Sequence, residues 1–474
     1  MAYRDLRGFL NDLRAEGDLV HVTAEVDPDQ EIGAICHQVC LEDGPALLFE
    51  NVKGYDLPHL TNVYGNRRRI ARSFGCRDYL DLGDRWADLI NRGGFPPRVV
   101  SQAPCQEIIR QGDDPFLDSL PLPICNEGDA GPYITLGFCI GRDPDTGIYN
   151  AAPYRMLKID GRHTTMNFSP GRDLGLIRQK FLQSGRPMPV AVAIGVDPLT
   201  ALAFTCPFNT EVDEIRMAGG LLGEPLEMVK CRTIDLEVPA TSEVILEGYI
   251  LMEGTHQDGP FGEYHGYYGI PTTVPIFEIT ALTHRRDPIY QGLYIGKLPH
   301  ECAYIETAPV ELEIHRLLKH VPGFRRFHMT IAGTRRNCVL QIQKRFEGHG
   351  KMAALAALGT APGRDIKTLI VVDEDIDPYD WNEIEWALST RFNPIEDVEL
   401  FTGLPGNVAD PAMPREAVGK SNLISKIILD ATKSLVTPLH ATCQPSRDIA
   451  AHVRHNWERY GIPSTRKKRL ESRG

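Results

Sequence analysis

The sequence predicts a mixed α/β and α+β protein of three domains. These are an N-terminal α/β domain over residues 1–110, a β-barrel-like domain over 111–308, and a C-terminal α/β domain over 309–474 that ends in an oligomerising tail. Three observations predict this arrangement. Helical and strand periodicities alternate at both ends of the chain, the pattern of α/β layers. Between them runs a series of short β-rich segments separated by turn residues, the spacing of a sandwich or barrel. The length of 474 residues, with 42% hydrophobic and 24% charged residues, suits roughly three soluble domains.

The N-terminal domain opens on an amphipathic helix within residues 1–20. Leu6, Phe9, Leu10 and Leu13 recur at helical spacing and Glu16-Gly17-Asp18 ends the pattern. Leu19–Val22 follows as a strand, Glu31–Cys40 as a helix, Ala46–Phe49 as a strand and Tyr79–Ile90 as a helix, before the break at Gly93-Gly94-Phe95-Pro96-Pro97. In the middle domain strands are expected at Tyr133–Ile140, Ile148–Lys158, Thr164–Phe168, Val190–Val196, Val229–Val238, Glu243–Glu253 and Ile276–Thr283, with one inserted helix, Asp173–Gln183. After Pro309 alternation returns, with helices at Val310–Lys319, Lys351–Leu358 and Trp381–Arg391 and strands at Phe327–Ile331, Cys338–Ile342 and Thr368–Val372. The acid run Asp373–Asp377 at the end of that last strand reads as a polar cap for the next helix in preference to a cation site. Beyond Pro405 the chain is loop-rich, with an apolar Ile424–Leu429 and a final helix at Asp448–Tyr460.

Composition excludes several classes of function. A net charge of −12 opposes general nucleic-acid binding, and the basic Arg466-Lys467-Lys468-Arg469 reads as a solvated tail. No apolar run reaches the ~18 residues of a membrane span, and the charged start lacks the features of a secretory signal, so the expected location is the cytoplasm. The 11 cysteines are scattered, and free thiols are expected. Cys36 and Cys40 lack a second pair at ligand spacing and read as small buried hydrophobes in preference to zinc ligands. There is no Gly-x-Gly-x-x-Gly after a strand, no Walker loop and no nucleophile elbow beside His163, His265 or His300.

The stretch Asp258-Gly-Pro-Phe-Gly-Glu263-Tyr-His-Gly-Tyr carries the strongest chemical signal. Gly-Pro-Phe-Gly cannot continue a helix, so the two acids sit on a shaped loop beside aromatics, where a carboxylate can be tuned into a proton donor. A tight turn with solvated acids is the plainer alternative. Asn150 and Arg155 share one strand region, and Asn167–Asp173 is a loop entering a helix, suited either to a phosphate or to ordinary capping by Asp173. Glu227 heads a β run, as a surface charge or as a ligand. Asn, Asp and Glu oxygens together suit Mg²⁺ or Mn²⁺.

Five ordered motifs span nearly the whole chain: Asn150…Tyr154-Arg155-Met156, Gly171-Arg172-Asp173, Leu226-Glu227-Met-Val-Lys-Cys231, Asp258–Glu263 and Val371-Val-Asp-Glu-Asp-Ile-Asp-Pro. Together they resemble the UbiD-type decarboxylases, which use prenylated FMN. The resemblance implies a split-barrel flavin-binding middle domain, dimers or hexamers built through the C-terminal tail, and a prenyl-FMN synthase as cofactor supplier. It implies reversible, non-oxidative decarboxylation of a small aromatic, heteroaromatic or unsaturated acid with release of carbon dioxide, the flavin serving as electron sink. Position by position it implies that Asn150, Asp173 and Glu227 hold Mn²⁺ (or Mg²⁺) near K⁺, that Tyr154, Arg155, Arg172 and Lys367 lie by the cofactor, and that Arg155, Asp258 and Glu263 form the catalytic trio. Asp173 stands where the ferulate decarboxylase branch has His, and Asp258 where the family has Glu. Glu263 is the expected proton donor, in an apolar pocket made by Phe261, Tyr264 and Tyr267. Two other readings carry their own expectations: an FMN redox flavoprotein would dispense with Glu263, and a non-catalytic partner subunit of a carboxylase complex would have no need to bury these charges together.

Overall fold

The computed structural model describes residues 3–168, 171–209, 212–407, 409–413, 422–437, 439 and 442–461. The first helix, Leu6–Ala15, is capped by Asp5, whose side chain accepts from the Gly8 amide, and it buries Leu6, Phe9, Leu10 and Leu13 as its spacing requires. It packs by a small sheet ordered Leu19–Val22, Ala46–Phe49, His59–Thr61 and Tyr290–Gln291. The last of these strands comes from far along the chain. The N-terminal unit is therefore completed by residues beyond the 1–110 expected for it.

The central element is a seven-stranded sheet ordered Ile108–Gln111, Thr272–His284, Val244–Asp258, Met188–Ile194, Tyr133–Arg142 and Tyr149–Leu157, with His163–Thr165 pairing onto Thr272–His284. A single Lys158–Thr164 bridge joins the end of Tyr149–Leu157 to that extra strand, so the sheet curls back towards itself. Both faces are covered, and its strands read as apolar runs: Met188, Val190 and Val192 pack on one side with Phe116, Ile134 and Phe277. The helix Asp173–Gln183 lies where its sequence predicts. Two further helices, Pro198–Thr205 and Glu214–Leu222, are additions to the one expected. The first is buried all round and so has no amphipathic period to read, and the second contains Gly219-Gly220, which reads locally as a turn. The run expected as one strand over 229–238 is a short antiparallel pair, Glu227–Lys230 with Glu237–Pro239, in a separate three-stranded sheet with Arg98–Val100.

The C-terminal sheet is ordered Phe324–Met329, Asn337–Ile342, Thr368–Asp373, Leu423–Asp430 and Val398–Pro405. The helix Glu301–Leu318 runs through the boundary expected at 308/309, with Pro309 inside it, because it is buried along most of its length and packing outweighs the lost backbone bond. Asp373 and Asp375 of the acid run both pair with Arg391, at the C-terminal end of the helix Trp381–Thr390, and Asp375 also with Lys433; that helix is capped instead by Asp380, whose side chain accepts from the Asn382 amide. The described cysteines are free. Among the described residues no helix is long and apolar enough to cross a membrane, and the basic 466–469 segment lies outside them.

Candidate active site

The long hairpin Val244–Asp258/Thr272–His284 presents the acid loop at its tip. Asp258 pairs across the sheet with Thr272, so the loop begins and ends on one rung. Tyr133 Oη accepts from the Gly259 amide at 3.1 Å, and the Asp129 carboxylate accepts from the Gly262 amide at 2.8 Å. Gly262 leaves room for Asn126: a Cβ there would stand 2.3 Å from Asn126 Nδ2 and displace the amide from the Ile295 carbonyl to which it donates.

Arg155, from the neighbouring strand Tyr149–Leu157, reaches into this loop. Its Nε and Nη2 donate to Asp258 Oδ2 at 3.1 and 2.9 Å, its Nη1 donates to Glu263 Oε1, and its guanidinium carbon lies 4.9 Å from the centre of the Phe261 ring. Asp258 is fully buried and also accepts from Thr165 Oγ1 at 3.2 Å and from Asn167 Nδ2. Its charge is thus fully partnered. Among the described residues, Arg155 is the side chain that hydrogen-bonds to the Glu263 carboxylate. Burial lifts its carboxyl above the ordinary carboxylate range, Arg155 pulls it back, and the charges of Glu306 and Asp258 push it up again. The two acids thus share one arginine in unequal surroundings, Asp258 with three side-chain donors and Glu263 with its carboxyl raised by burial.

A second polar nest forms where two helices begin. Asp173 and Glu214 are each the first residue of their helix, and Asn150 lies on the strand between. Asn150 Nδ2 is 3.5 Å from both carboxylate oxygens of Glu214, and the Ala151 amide donates to Glu214 at 3.2 Å. Asn150 Oδ1 is buried without a hydrogen-bond partner. Burial raises the Glu214 carboxyl to about 8, outweighing its backbone hydrogen bonds, and the charge of Asp173 adds to the rise. The phenol of Tyr154 is pushed up by burial and by Asp173 and Glu214 as well. Two acids, an orphaned amide oxygen and two positive helix ends fit a hard cation with an anion beside it. Among the described residues no group of three or more His, Cys, Asp or Glu side chains gathers as a metal site, and this nest, with two acids and one amide, is consistent with that.

The structure brings Arg155, Asp258 and Glu263 together, and Asn150, Tyr154 and Asp173 together. Arg172 immediately precedes the helix and occupies its N-cap position. Two expectations are displaced. Glu227 heads the middle strand of the small sheet and pairs with Arg98 at 2.7 Å, so the nest's glutamate is Glu214, which the sequence reading missed. Lys367 is engaged by Asp410 at 2.8 Å in the C-terminal domain. Tyr267 is 67% exposed and does not wall Glu263, whereas Phe261 is buried beneath Arg155. His300 caps its helix by accepting from the Ala303 amide, and burial lowers its imidazole to about 4, the structural role expected.

Comparison with known proteins agrees with this architecture. Residues 10–88, 98–298 and 303–431 match, in order, the N-terminal, Rift-related and C-terminal domains of 3-octaprenyl-4-hydroxybenzoate carboxy-lyase. The chain is 34% identical over 457 residues to an uncharacterized protein of Archaeoglobus fulgidus, covering 91% of this chain and 92% of that one. The UbiD-class enzyme HmfF of Pelotomaculum thermopropionicum, solved with FMN, superposes with a TM-score of 0.85 at 34% identity, over 94% of this chain and 98% of that one. Vanillic acid decarboxylase of Sedimentibacter hydroxybenzoicus gives 0.85 at 29% identity, over 97% and 99%. These likenesses and the matched segments define a carboxy-lyase. The chain belongs to the UbiD family.

Proposed function

We propose that the protein is a prenylated-FMN-dependent decarboxylase of a small aromatic or heteroaromatic acid, reversible in principle, with Glu263 as proton donor. The observation that carries the reading is the unequal setting of the two acids on Arg155: Asp258 is fully buried and accepts from Arg155, Thr165 and Asn167, whereas the Glu263 carboxyl, raised by burial, meets Arg155. Arg155 orients the substrate carboxylate and keeps two adjacent acids from repelling each other. Glu263 delivers a proton to the carbon that carbon dioxide leaves. Burial of Phe261 and Asp258 keeps water from competing for that position.

The related HmfF is known in complex with FMN and, in an evolved dimeric form, with prenylated FMN. Bound here, that group would supply an electron sink for the carbon–carbon cleavage. Its phosphate and a divalent cation, Mn²⁺ or Mg²⁺, would be held by Asn150, Asp173 and Glu214, with Arg172 and Tyr154 beside them. Glu214 thereby replaces Glu227 in the ligand set. The curled central sheet serves as the split barrel of this arrangement, and the vanillic and 3,4-dihydroxybenzoic acid decarboxylases among the relatives support an aromatic substrate.

The test is a carbon dioxide release screen over aromatic and unsaturated acids, with protein made with and without a prenyl-FMN synthase and with Glu263→Gln as control. Release that depends on the synthase and disappears in the variant establishes the reading. Inactivity with the synthase present returns the chain to the redox or partner-subunit readings.

A further inference from the structure

Glu263 is one residue from Tyr264, and Tyr264 is gripped from the other side by the C-terminal domain. The Arg335 and Arg336 guanidinium carbons lie 5.2 and 5.4 Å from its ring centre, and Arg336 Nη2 donates to its hydroxyl at 3.2 Å. Its backbone carbonyl meets a ring nitrogen of His300 at 2.9 Å. The ring is only 8% exposed.

The two arginines are themselves braced. Thr334 and Arg335 adopt left-handed backbone, φ 48° and 65°, which neither a β-branched residue nor an arginine takes without cost. Arg335 lies 3.5 Å from carboxylate oxygens of both Glu306 and Asp365. Arg336 donates to Thr334 Oγ1 at 2.8 Å and to the Ala409 carbonyl at 2.9 Å, and it faces Asp410, which Lys367 holds in turn. Strained backbone and five polar partners are a large investment for a residue pair that touches a single phenol.

We propose that Tyr264 is a positioning residue for Glu263: clamped between Arg335 and Arg336, it docks the acid loop on the C-terminal domain and so sets where Glu263 stands relative to Arg155. The proposal rests on the reading of Glu263 as proton donor. It also gives Lys367 a place, at the outer end of the Asp410–Arg336–Tyr264 chain. The charged and titratable groups facing Glu263 are Arg155 and Asp258 from the central sheet and Cys302 and Glu306 from the helix Glu301–Leu318, while His265, Arg335 and Arg336 surround Tyr264. Tyr264 is not itself a catalytic residue.

The experiment compares Tyr264→Leu, Tyr264→Phe and Arg336→Gln in cofactor-loaded protein by steady-state kinetics against pH. In the cofactor-free protein it follows the carboxylic C=O stretch of Glu263 by infrared titration, assigned by its loss in Glu263→Gln. Tyr264→Leu and Arg336→Gln are expected to lower kcat about ten- to hundredfold with KM changed by less than about twofold, the pattern of a misplaced reacting group. In Tyr264→Leu the alkaline limb of kcat and the infrared midpoint both move to lower pH, because the loosened loop admits water to Glu263. Tyr264→Phe keeps the cation–π clamp and is expected to stay within about threefold of the parent. Variants that fold and leave kcat, the pH limb and the infrared midpoint at parental values overturn the proposal. A parent without synthase-dependent activity overturns instead the reading beneath it. If Tyr264→Leu fails to fold, Arg336→Gln decides by its kcat-against-KM split.

Discussion

A buried glutamate, Glu214, and a half-buried one, Glu263, meet opposite solutions to the same physical problem. Glu263 and Glu214 are both lifted by loss of water, but Glu263 has a guanidinium within reach, whereas Glu214 has an amide and, nearby, a second acid. Glu263 is balanced from within the chain by Arg155, which is the setting of the proton donor proposed above. Glu214 meets, among the described residues, an amide and a backbone N–H in place of a cation, which is the setting of the cation site proposed above. A carboxylate's partners, more than its burial, separate an acid–base group from a ligand.

The contrast can be broken most severely at Glu263. Glu263→Gln removes the proton while keeping shape, and carbon dioxide release is expected to fall by about 10²–10⁴-fold with the thermal midpoint unchanged or raised. Next is the shared cation. Arg155→Met strands Asp258, which is fully buried, and urea unfolding is expected to show a loss of about 3–5 kcal/mol, part of which a second change, Asp258→Asn, restores. On the other side, Glu214→Gln is expected to weaken Mn²⁺ binding measured by calorimetry by at least about tenfold, while Glu227→Gln, which loses only its pair with half-exposed Arg98, changes it by less than about twofold. Equal effects of the two changes would restore Glu227 to the ligand set.

The smallest effect is the pH signature of Glu214. Its folded-state carboxyl is raised from 4.5 to about 8, so between those values the folded chain binds more protons than the unfolded one. By linkage, the stability this group lends is full below about pH 4.5 and is lost as pH rises towards 8. The difference in thermal midpoint between cation-free parent and Glu214→Gln, recorded from pH 5 to 8, is expected to move against the parent as pH rises. Subtraction is needed because buried Asp197 and Glu301, raised to about 6 and about 7, act in the same direction.

The acid loop was legible in the sequence because its parts are local. Asp258 and Glu263 are separated by four residues that cannot continue a helix, and Arg155 stands out as the one charged residue of its strand. The nest was legible in Asn150 and Asp173 but not in its glutamate, because Glu214 lies 41 residues beyond Asp173 and joins them only through the tertiary fold. Glu214 had a faint signal: Asp213 is an N-cap in front of it and an apolar helix follows. An acid in the first turn is what any helix favours, so nothing marked this one as more than dipole pairing. The helix through Pro309 misled for the opposite reason, since a strong local breaker was overruled by tertiary burial. Elsewhere the alternating segments fell close to their expected places, the helix Asp173–Gln183 to the residue.

Because Asp258 and Thr272 face each other on one rung of the hairpin, residues 259–271 leave and rejoin the sheet at a fixed width. Such a tip behaves as a cassette. Changes within it leave intact the ladder that carries Asp258 and the neighbouring strand that carries Arg155, while its own fit is set by Asn126 beside Gly262, Arg155 over Phe261 and the arginine clamp on Tyr264. Thirteen residues thus form a natural unit for grafting, with the acid's spacing and its aromatic escort inherited together.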